Sequence, residues 1–290
     1  GFIGVGIMGK SMVRNLMKAG FELHIYARTK SKVEDVISEG AQFHESIKDC
    51  VQDCDAVITI VGFPQDVEEV YFDEGNILDS AKKGAYLIDM TTTSPQIAEK
   101  IYAEGTKRGF HVMDAPVTGG DTGAKAGTLS ILVGGEKEDY EACMPLFEAM
   151  GTNINYQGKA GCGQHCKLAN QIMIAGTLSG VCEALTYAKE QGLDPEVFMK
   201  SVATGAAGSK QLDTFGPKIL KDDYAPGFFM KHFIKDMKLA LIEANRKGLS
   251  LDVLSMVLAN YEELEQEGYG DLGTQALMKF YDEEHRNTEE

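Results

Sequence analysis

The chain has 290 residues, of which 43% are hydrophobic and 25% charged, a composition that is typical of a globular protein and a length that suits two domains. Its net charge of -16 at pH 7 repels nucleic acid and anionic membranes, so we expect neither as a partner. We see no apolar run that we would assign to a membrane helix and no signal peptide, and we therefore expect a cytoplasmic protein.

The spacing of the six cysteines does not indicate a disulfide framework. Cys162 and Cys166, with His165 between them, could suggest a metal site. No second pair of ligands follows at the spacing of a zinc site, so we expect no metal. Small buried thiols in a reducing compartment are the simpler interpretation.

Up to residue 160, short β-rich segments alternate with helical segments. FIGVG precedes KSMVRNLMKAG, LHIYA precedes SKVEDVISEG, and DAVITIV, AYLIDM, HVMDAP and TLSILVGG continue the series. This alternation predicts an α/β fold, with a doubly wound, mostly parallel Rossmann sheet over residues 1–160. Pro95 suits the first turn of its helix, with Thr93 or Ser94 as the N-terminal cap.

Long helical segments dominate from Gly161 onward. The pattern predicts helices over 164–191, 195–204, 209–221, 230–247, 250–267 and 271–283. We therefore expect residues 161–290 to form an all-α C-terminal domain for substrate binding and oligomerisation, joined to the sheet by the long first helix. The polar tail DEEHRNTEE is expected to fray.

The first strand is followed by the glycine motif Gly4-x-Gly6-x-x-Gly9, which leads into the first helix. Gly4 permits a tight turn, Gly6 allows the backbone to approach a pyrophosphate, and Gly9 allows the helix and strand to pack closely. The N–H groups of the first helical turn, at Ile7 and Met8, would face the phosphates. In this strand–loop–helix setting the motif predicts a dinucleotide site; a glycine-rich turn that binds nothing is the alternative.

The end of the second strand carries the information on which dinucleotide binds. Ala27 stands where an acidic residue would bind the ribose 2′-hydroxyl of NAD, and Arg28, Thr29 and Lys30 follow. A guanidinium beside hydroxyl and ammonium donors suits a 2′-phosphate, which favours NADP(H) over NAD(H). The alternative is a basic loop that only faces solvent.

Four further motifs follow the glycine loop in a recognisable order: DMTTTSP at 89–95, DAPVTGG at 114–120, GCGQHCKLAN at 161–170 and PGFFMKHFIKDMKLAL at 226–241. With them the whole chain resembles the β-hydroxyacid dehydrogenase family, which includes 3-hydroxyisobutyrate dehydrogenase, tartronate semialdehyde reductase and succinic semialdehyde reductases. The resemblance implies an NADP(H)-dependent homo-oligomer, a dimer or tetramer, that interconverts a small carboxylate-bearing hydroxy acid and its semialdehyde or keto acid.

The resemblance also implies roles for individual residues around the substrate. Lys167 matches the catalytic acid/base, and Asn170, one turn further along the helix, matches a substrate-binding residue. Thr118, Gly119 and Gly120 match the segment that holds the substrate carboxylate. Many members have serine at the position of Thr118, and the threonine keeps the hydroxyl.

Three more positions match cofactor contacts in the family. Thr92 matches a residue at the nicotinamide end, Lys235 matches one that reaches the cofactor from the helical domain, and Val61 matches a backbone position beside the cofactor. The sequence VGFPQD around Val61 departs from the more usual version, which contains Leu-Pro. His232, close to Lys235 in sequence, is expected to be structural.

Lys167 suits a reaction in which a carbonyl oxygen gains negative charge as hydride reaches its carbon. An ammonium group can donate a proton and hydrogen bonds to that oxygen, and a neutral amine can accept the proton in the reverse direction. The alternatives are a lysine that extends into solvent, a non-catalytic dinucleotide-binding scaffold or sensor, and an imine-type reductase, a group that generally lacks this lysine.

Overall fold

The computed structural model describes residues 1–281, so the predicted tail and the last residues of the predicted helix over 271–283 lie outside the described part. The chain forms two compact units, of which the first is Gly1–Lys167 and the second begins at Leu168. The division falls within a long helix, α10 (Cys162–Glu190). The domain boundary after residue 160 stays a prediction.

The first unit is an α/β unit built on one sheet. Its strands are β1 (Phe2–Ile3), β2 (His24–Tyr26), β3 (Gln42–Phe43), β4 (Ala56–Thr59), β5 (Tyr86–Asp89), β6 (His111–Asp114), β7 (Val117–Thr118), β8 (Leu129–Gly134) and β9 (Gly151–Gly158). The order is β3-β2-β1-β4-β5-β6-β8-β7, with β9 also paired to β8. Strands β1 to β6 are parallel and follow the Rossmann order, whereas β8 runs antiparallel to β6 and β7.

Helices cover both faces of this sheet, as the sequence predicts. They are α1 (Ile7–Lys18), α2 (Glu34–Ser38), α3 (Ile47–Val51), α4 (Pro64–Phe72), α5 (Ile77–Ser80), α6 (Pro95–Lys107), α7 (Gly120–Ala126), α8 (Lys137–Ala142) and α9 (Met144–Met150). Alternate strand residues enter two separate cores, because successive side chains of a strand point to opposite faces. Phe2 and Ile58 belong to one core, and Ile3 and Val57 to the other.

Several short elements of the first unit were not predicted. They are the strands β3, β7 and β9 and the helices α3, α5 and α7. Pro95 lies in the first turn of α6 as predicted, and Ser94, rather than Thr93, provides the cap by accepting a hydrogen bond from the backbone N–H of Gln96. The α/β class and the Rossmann sheet are confirmed.

The second unit is helical. After α10 it contains α11 (Pro195–Val202), α12 (Lys210–Ile219), α13 (Met230–Arg246) and α14 (Asp252–Gln266), followed by 3-10 segments at Tyr269–Asp271 and Thr274–Tyr281. Within the described residues, the last predicted helix, over 271–283, therefore corresponds mainly to the 3-10 segment Thr274–Tyr281. Phe233 and Tyr261 meet edge to face in the core, with ring centroids 5.4 Å apart.

By length and composition alone, and contrary to the expectation from sequence, α10 is long and apolar enough to cross a membrane. In the structure, 44% of its most apolar 18-residue window is buried inside the protein. Leu168, Leu178 and Leu185 lie in the core of the second unit. Because a buried core helix meets the same two criteria, this burial explains the apolar composition of α10.

Candidate active site

The glycine motif forms a tight connection between β1 and α1. Gly4 has a φ of 98°, and a Cβ on it would lie 2.1 Å from the carbonyl oxygen of Ile60. A Cβ on Gly9 would lie 2.1 Å from the carbonyl oxygen of Gly4, so the first turn of α1 packs directly on the loop. Side chains are therefore excluded at both positions by backbone atoms that cannot move independently.

Gly6 differs from these two glycines because it faces open space. Within residues 1–281, a Cβ on Gly6 would meet no heavy atom within 4 Å, and no side chain caps α1 at this residue. The N–H groups of Ile7 and Met8 belong to the first turn of α1, where an α-helix supplies no carbonyl partner to its N–H groups. An open space at an uncapped helix N-terminus after a parallel strand fits the pyrophosphate of a dinucleotide.

Arg28 follows β2 and is exposed, with 77% of its side chain accessible to solvent. Its Nη1 donates a hydrogen bond to Oδ1 of Asp66 at 3.3 Å, and Asp66 in turn accepts the backbone N–H of Phe63 at 2.9 Å. A guanidinium has five N–H donors, so this pairing is compatible with a phosphate contact. Thr29 is also exposed beside it.

The segment Thr118-Gly119-Gly120 joins β7 to α7. Gly119 and Gly120 have φ values of 128° and 63°, a left-handed backbone that strains other residues. Helix α7 packs on α1, and Nδ2 of Asn15 on α1 donates a hydrogen bond to the carbonyl of Ala124 at 2.7 Å. The predicted carboxylate-binding segment and the helix of the phosphate loop are thus held against each other.

The start of α10 is fixed to β6 by Asp114, a buried residue at the end of that strand. Its two carboxylate oxygens accept the backbone N–H groups of Gly161 and Gln164, each at 2.8 Å. Burial raises the pKa of Asp114 above its ordinary value, and the two N–H groups lower it by a smaller amount. A Cβ on Gly163 would lie 2.4 Å from the carbonyl oxygen of Leu132, so only glycine allows this close packing.

A second attachment joins α10 to the loop after β5. The side chain of Gln164 accepts the N–H of Thr93 at 3.0 Å and donates to the carbonyl of Thr91 at 2.7 Å, which brackets Thr92. The hydroxyl of Thr91 accepts the N–H of Val61 at 3.0 Å. The structure therefore links two predicted cofactor contacts, Val61 and Thr92, to the helix that carries Lys167.

Asp89 lies beneath this loop, at the end of β5, and is buried. Its Oδ1 accepts the hydroxyl of Thr59 at 2.8 Å and the N–H of Thr91 at 3.1 Å. Burial raises the pKa of Asp89 to about 6 despite these hydrogen bonds. The fold therefore makes the charged carboxylate less favourable at this position than it is in water.

Lys167 lies one turn after these attachments on α10, in the first unit. Only 7% of the residue is exposed, which excludes a lysine that extends into solvent. The six residues from Cys162 to Lys167 are the part of α10 that belongs to the first unit. The amine of Lys167 therefore lies on a short helical segment whose first turn is held by hydrogen bonds to Asp114 and by the side-chain hydrogen bonds of Gln164.

Asn170 and Lys235, two further predicted site residues, lie in the second unit and are connected by one network of hydrogen bonds and an ion pair. Nδ2 of Asn170 donates to the side-chain oxygen of Gln171 at 2.9 Å, and Nε2 of Gln171 donates to Asp236 at 2.6 Å. The ammonium of Lys235 lies 3.0 Å from the other oxygen of Asp236. Gln171 and Asp236 are both buried, so this network holds Asn170 and Lys235 in defined positions.

His232 lies near two aromatic rings, with ring-centroid distances of 6.4 Å to Phe228 and 5.9 Å to Phe229, and its structural role stays a prediction. Residues 1–281 contain no group of three or more His, Cys, Asp or Glu side chains placed to hold a metal ion.

Sequence reasoning gave no role to Asp114 or Gln164, although both lie inside motifs that it singled out. In the sequence, Asp114 ends a predicted strand and Gln164 lies in a glycine-rich helix start, and such positions suit side chains that bind backbone groups of neighbouring segments. Neither position identifies its partner, because the bonded residues are 47 to 73 positions away along the chain. Only the fold brings them together.

Two family profiles match the chain in succession. The NAD binding domain of 6-phosphogluconate dehydrogenase matches residues 1–158, and the NAD-binding domain of NADP-dependent 3-hydroxyisobutyrate dehydrogenase matches residues 161–281.

Relatives extend over nearly the whole chain. An uncharacterised oxidoreductase of Bacillus subtilis, YkwC, is 49% identical over 97% of this chain and 98% of its own length. A probable 3-hydroxyisobutyrate dehydrogenase-like protein of Arabidopsis thaliana is 44% identical over 96% of this chain and 83% of its own. The NAD-dependent L-serine dehydrogenase of Pseudomonas aeruginosa is 34% identical over 97% of both chains.

Among solved structures, the 3-hydroxyisobutyrate dehydrogenase of Mycobacterium tuberculosis with L-serine superposes with a TM-score of 0.88. It is 27% identical and covers 96% of this chain and 97% of its own. Together with the glycine loop, these similarities define an NAD(P)-dependent oxidoreductase that acts on hydroxy acids. The chain belongs to the β-hydroxyacid dehydrogenase family, which confirms the resemblance found in the sequence.

Proposed function

We propose that this protein uses NADP(H) to interconvert a small 3-hydroxy acid and its semialdehyde, with Lys167 as the general acid/base. The observation that carries this proposal is the buried position of Lys167 on a helix start that is bonded to the loop of Thr91 and Thr93. A buried amine on a rigid element suits proton transfer, because its position and its protonation both affect the rate.

The chain's own groups have distinct tasks in this reaction. A bound nicotinamide supplies the hydride in one direction and accepts it in the other. Lys167 donates a proton to the carbonyl oxygen during reduction and takes the hydroxyl proton during oxidation. The segment from Thr118 to Gly120 offers its hydroxyl and backbone N–H groups to the substrate carboxylate, and Asn170 orients the substrate close to the amine.

The residues that would hold the cofactor are those around the glycine loop. Gly4, Gly6 and Gly9 shape the phosphate site, with the N–H groups of Ile7 and Met8 available to the phosphates. Val61 and Thr92 lie on the two loops that Thr91 connects, where Thr92 would contact the nicotinamide end and the backbone of Val61 would lie beside the cofactor. Lys235, which the family resemblance assigns to the cofactor, is a residue of the second unit.

The preference for NADP(H) rests on Arg28 and Thr29. Both are exposed directly after β2, where a 2′-phosphate would be recognised, and no acidic side chain occupies positions 27–30. The description of the second family profile names an NADP-dependent enzyme, whereas one relative is NAD-dependent. The side chains after β2 therefore carry this proposal.

The substrate class follows from the relatives and from the carboxylate segment. 3-Hydroxyisobutyrate and L-serine, which appear in the names of relatives and neighbours, are both 3-hydroxypropanoates with one substituent on C2, a methyl group in the first and an amino group in the second. We propose a substrate of this class. A screen should include methylmalonate semialdehyde, tartronate semialdehyde, succinic semialdehyde and glyoxylate, each with NADPH and NADH.

The second unit is the part that we expect to form a homodimer or homotetramer. It exposes large apolar side chains on three helices, among them Met173 on α10, Ile242 on α13 and Met256 on α14. A contiguous exposed apolar patch marks a subunit interface, and the proposal requires these side chains to lie in one such patch. Sedimentation equilibrium would measure the oligomeric state directly, and a monomer at micromolar concentration would contradict the proposal.

The experiment that tests the function compares two lysine variants with the substrate that the screen identifies. Lys167→Ala should lower kcat by about 10²- to 10⁴-fold, the usual contribution of a general acid, and leave the Kd of NADPH within a few-fold. Lys159→Ala is the matched control, because Lys159 is exposed just before the same helix start, and it should retain full kcat. Comparable kcat values for Lys167→Ala and the parent would refute the assignment.

A further inference from the structure

Gln164 has an unusual position for a glutamine, because none of the residue is exposed and both ends of its amide are bonded to backbone. Its oxygen accepts the N–H of Thr93 at 3.0 Å, and its nitrogen donates to the carbonyl of Thr91 at 2.7 Å. These are the two backbone groups on either side of Thr92. The amide therefore fixes the backbone at Thr92 from both sides, as a neighbouring strand would.

The same residue is fixed at its own backbone. The N–H of Gln164 donates to Asp114 at 2.8 Å, which ties it to the end of β6. Lys167 follows three positions later, and residues three apart in an α-helix lie on the same side of it. A displacement of the loop at Thr92 would thus be transmitted through Gln164 to the helical turn that carries the amine.

The loop that Gln164 holds is also bonded on its far side. The N–H of Thr91 donates to Asp89 at 3.1 Å, and its hydroxyl accepts the N–H of Val61 at 3.0 Å. The loop is thus bonded to β5 beneath it, to the loop after β4 beside it and to α10. Gln164 provides the connection to α10.

We propose that Gln164 is a positioning residue that keeps the loop at Thr92 and the amine of Lys167 in one fixed relation during turnover. This inference rests on the proposed function, since it assigns the two ends of the connection to cofactor and proton transfer. It predicts that the chemical step depends on the donor and acceptor pattern of the Gln164 side chain. A glutamine that only filled space would lack this dependence.

Gln164→Glu tests the donor directly, because the change is nearly isosteric. In its protonated form the new carboxyl keeps one acceptor for Thr93 and one donor for Thr91, whereas the carboxylate has no donor and faces the carbonyl of Thr91. The titratable groups around this position are Asp114, bonded to the N–H of residue 164, Asp89, bonded to Thr91, and Lys167, three positions later on the same side of α10. All three are present in the parent, so the ratio of kcat values, variant to parent, removes their own titration.

We expect the kcat of Gln164→Glu to lie about 10- to 100-fold below the parent at pH 8 and to recover toward it as the pH falls to 5.5. The kcat of Gln164→Ala should lie below that of the parent by a similar factor at every pH, because alanine has no group whose protonation could restore the donor. The Kd of NADPH should change by a few-fold at most, since the phosphate loop is untouched. A ratio for Gln164→Glu that does not depend on pH would overturn the inference.

Gln275→Glu is the matched control for a buried glutamine without a role in the site. Gln275 is also buried, and its nitrogen donates to the backbone carbonyls of Asp223 and Ala225 at 2.9 and 3.1 Å. The variant should lose stability as its new carboxyl ionises, with a kcat ratio that stays flat across the same pH range. If both glutamate variants show the same pH-dependent kcat, the effect reflects general stability and the inference fails.

A second measurement separates this inference from the proposed function. Fluorescence of the bound, reduced nicotinamide reports its surroundings without any turnover. For Gln164→Glu the emission should differ from the parent at pH 8 and approach it at pH 6, while Gln275→Glu matches the parent throughout. If no substrate in the screen is turned over, the proposed function fails, and the emission alone then tests the role of Gln164. Equal emission for Gln164→Glu and the parent at both pH values would overturn that role.

Discussion

The tight packing at the start of α10 makes Gly163 the most informative position for a steric test. A Cβ at this residue would lie 2.4 Å from the carbonyl oxygen of Leu132 on β8 and 2.8 Å from two oxygens of Asp114 on β6. Two of these three atoms are backbone atoms of a sheet, so the sheet cannot yield easily. The helix start must therefore move away from the strands in Gly163→Ala.

The expected loss of stability follows from two opposing effects. Overpacking of this kind costs about 1–3 kcal/mol, and alanine in place of glycine returns at most about 1 kcal/mol of helix propensity. Because two of the clashing atoms are backbone oxygens, the cost should lie in the upper part of this range, about 2–3 kcal/mol, and the net loss should be about 1–2 kcal/mol. This loss is smaller than a typical total stability of about 5–15 kcal/mol, so the variant should still fold. The activity should fall further, because a displacement of about 1 Å at a catalytic group can cost about 100-fold in rate.

Gly180→Ala on the same helix is the control. Among the described residues no heavy atom lies within 4 Å of a Cβ at Gly180, so the substitution should stabilise the fold by up to about 1 kcal/mol and leave kcat unchanged. Urea unfolding at several protein concentrations separates fold stability from any change in self-association. If Gly163→Ala matched Gly180→Ala in stability and kcat, the steric argument for the helix start would be wrong.

Two further predictions concern charge. Burial raises the pKa of Asp89 from 3.8 to about 6, so the wild-type fold loses stability as the pH rises from about 4 to about 6. The stability of Asp89→Asn relative to the wild type should therefore increase by about 3 kcal/mol between pH 4 and pH 7, measured by urea unfolding. A stability difference that does not depend on pH would contradict this prediction. Arg28→Ala should raise the Kd of NADPH about tenfold or more and change the Kd of NADH less than about twofold, because only NADPH carries the 2′-phosphate. Nicotinamide fluorescence measures both Kd values. Equal effects on the two cofactors would remove the basis for the NADP(H) preference.

The main strands and helices could be predicted from sequence because their patterns are local. DAVITIV and AYLIDM are apolar runs of strand length, and the glycine motif identifies its own position between β1 and α1. Strand β9 was not predicted because its sequence, GTNINYQG, is polar and buries only one of its eight residues. It is a strand only because β8 pairs with it in parallel, a tertiary effect that local propensity does not contain.

Residues of the candidate site also differ in whether the sequence alone identifies them. Lys167 and the glycine loop lie in motifs with a recognisable spacing, so the sequence identifies them without a structure. The partners of Gln164 could not be found in that way, because Thr91 and Thr93 are more than 70 positions earlier. The sequence contains no periodicity that would relate a helix start to the loop after β5, which depends on the order of strands in the sheet.

The polar residues at the ends of β4, β5 and β6 have a property that stability alone does not explain. Buried carboxyl and amide groups gain little net stability even when they are bonded, and apolar replacements are often neutral or better. Burial raises the pKa of both Asp89 and Asp114, so the fold opposes their charge. Their hydrogen bonds nevertheless converge on two places, the loop of Thr91 and the start of α10. We infer that accurate placement of these two elements, rather than stability of the sheet, is what the buried polar groups provide.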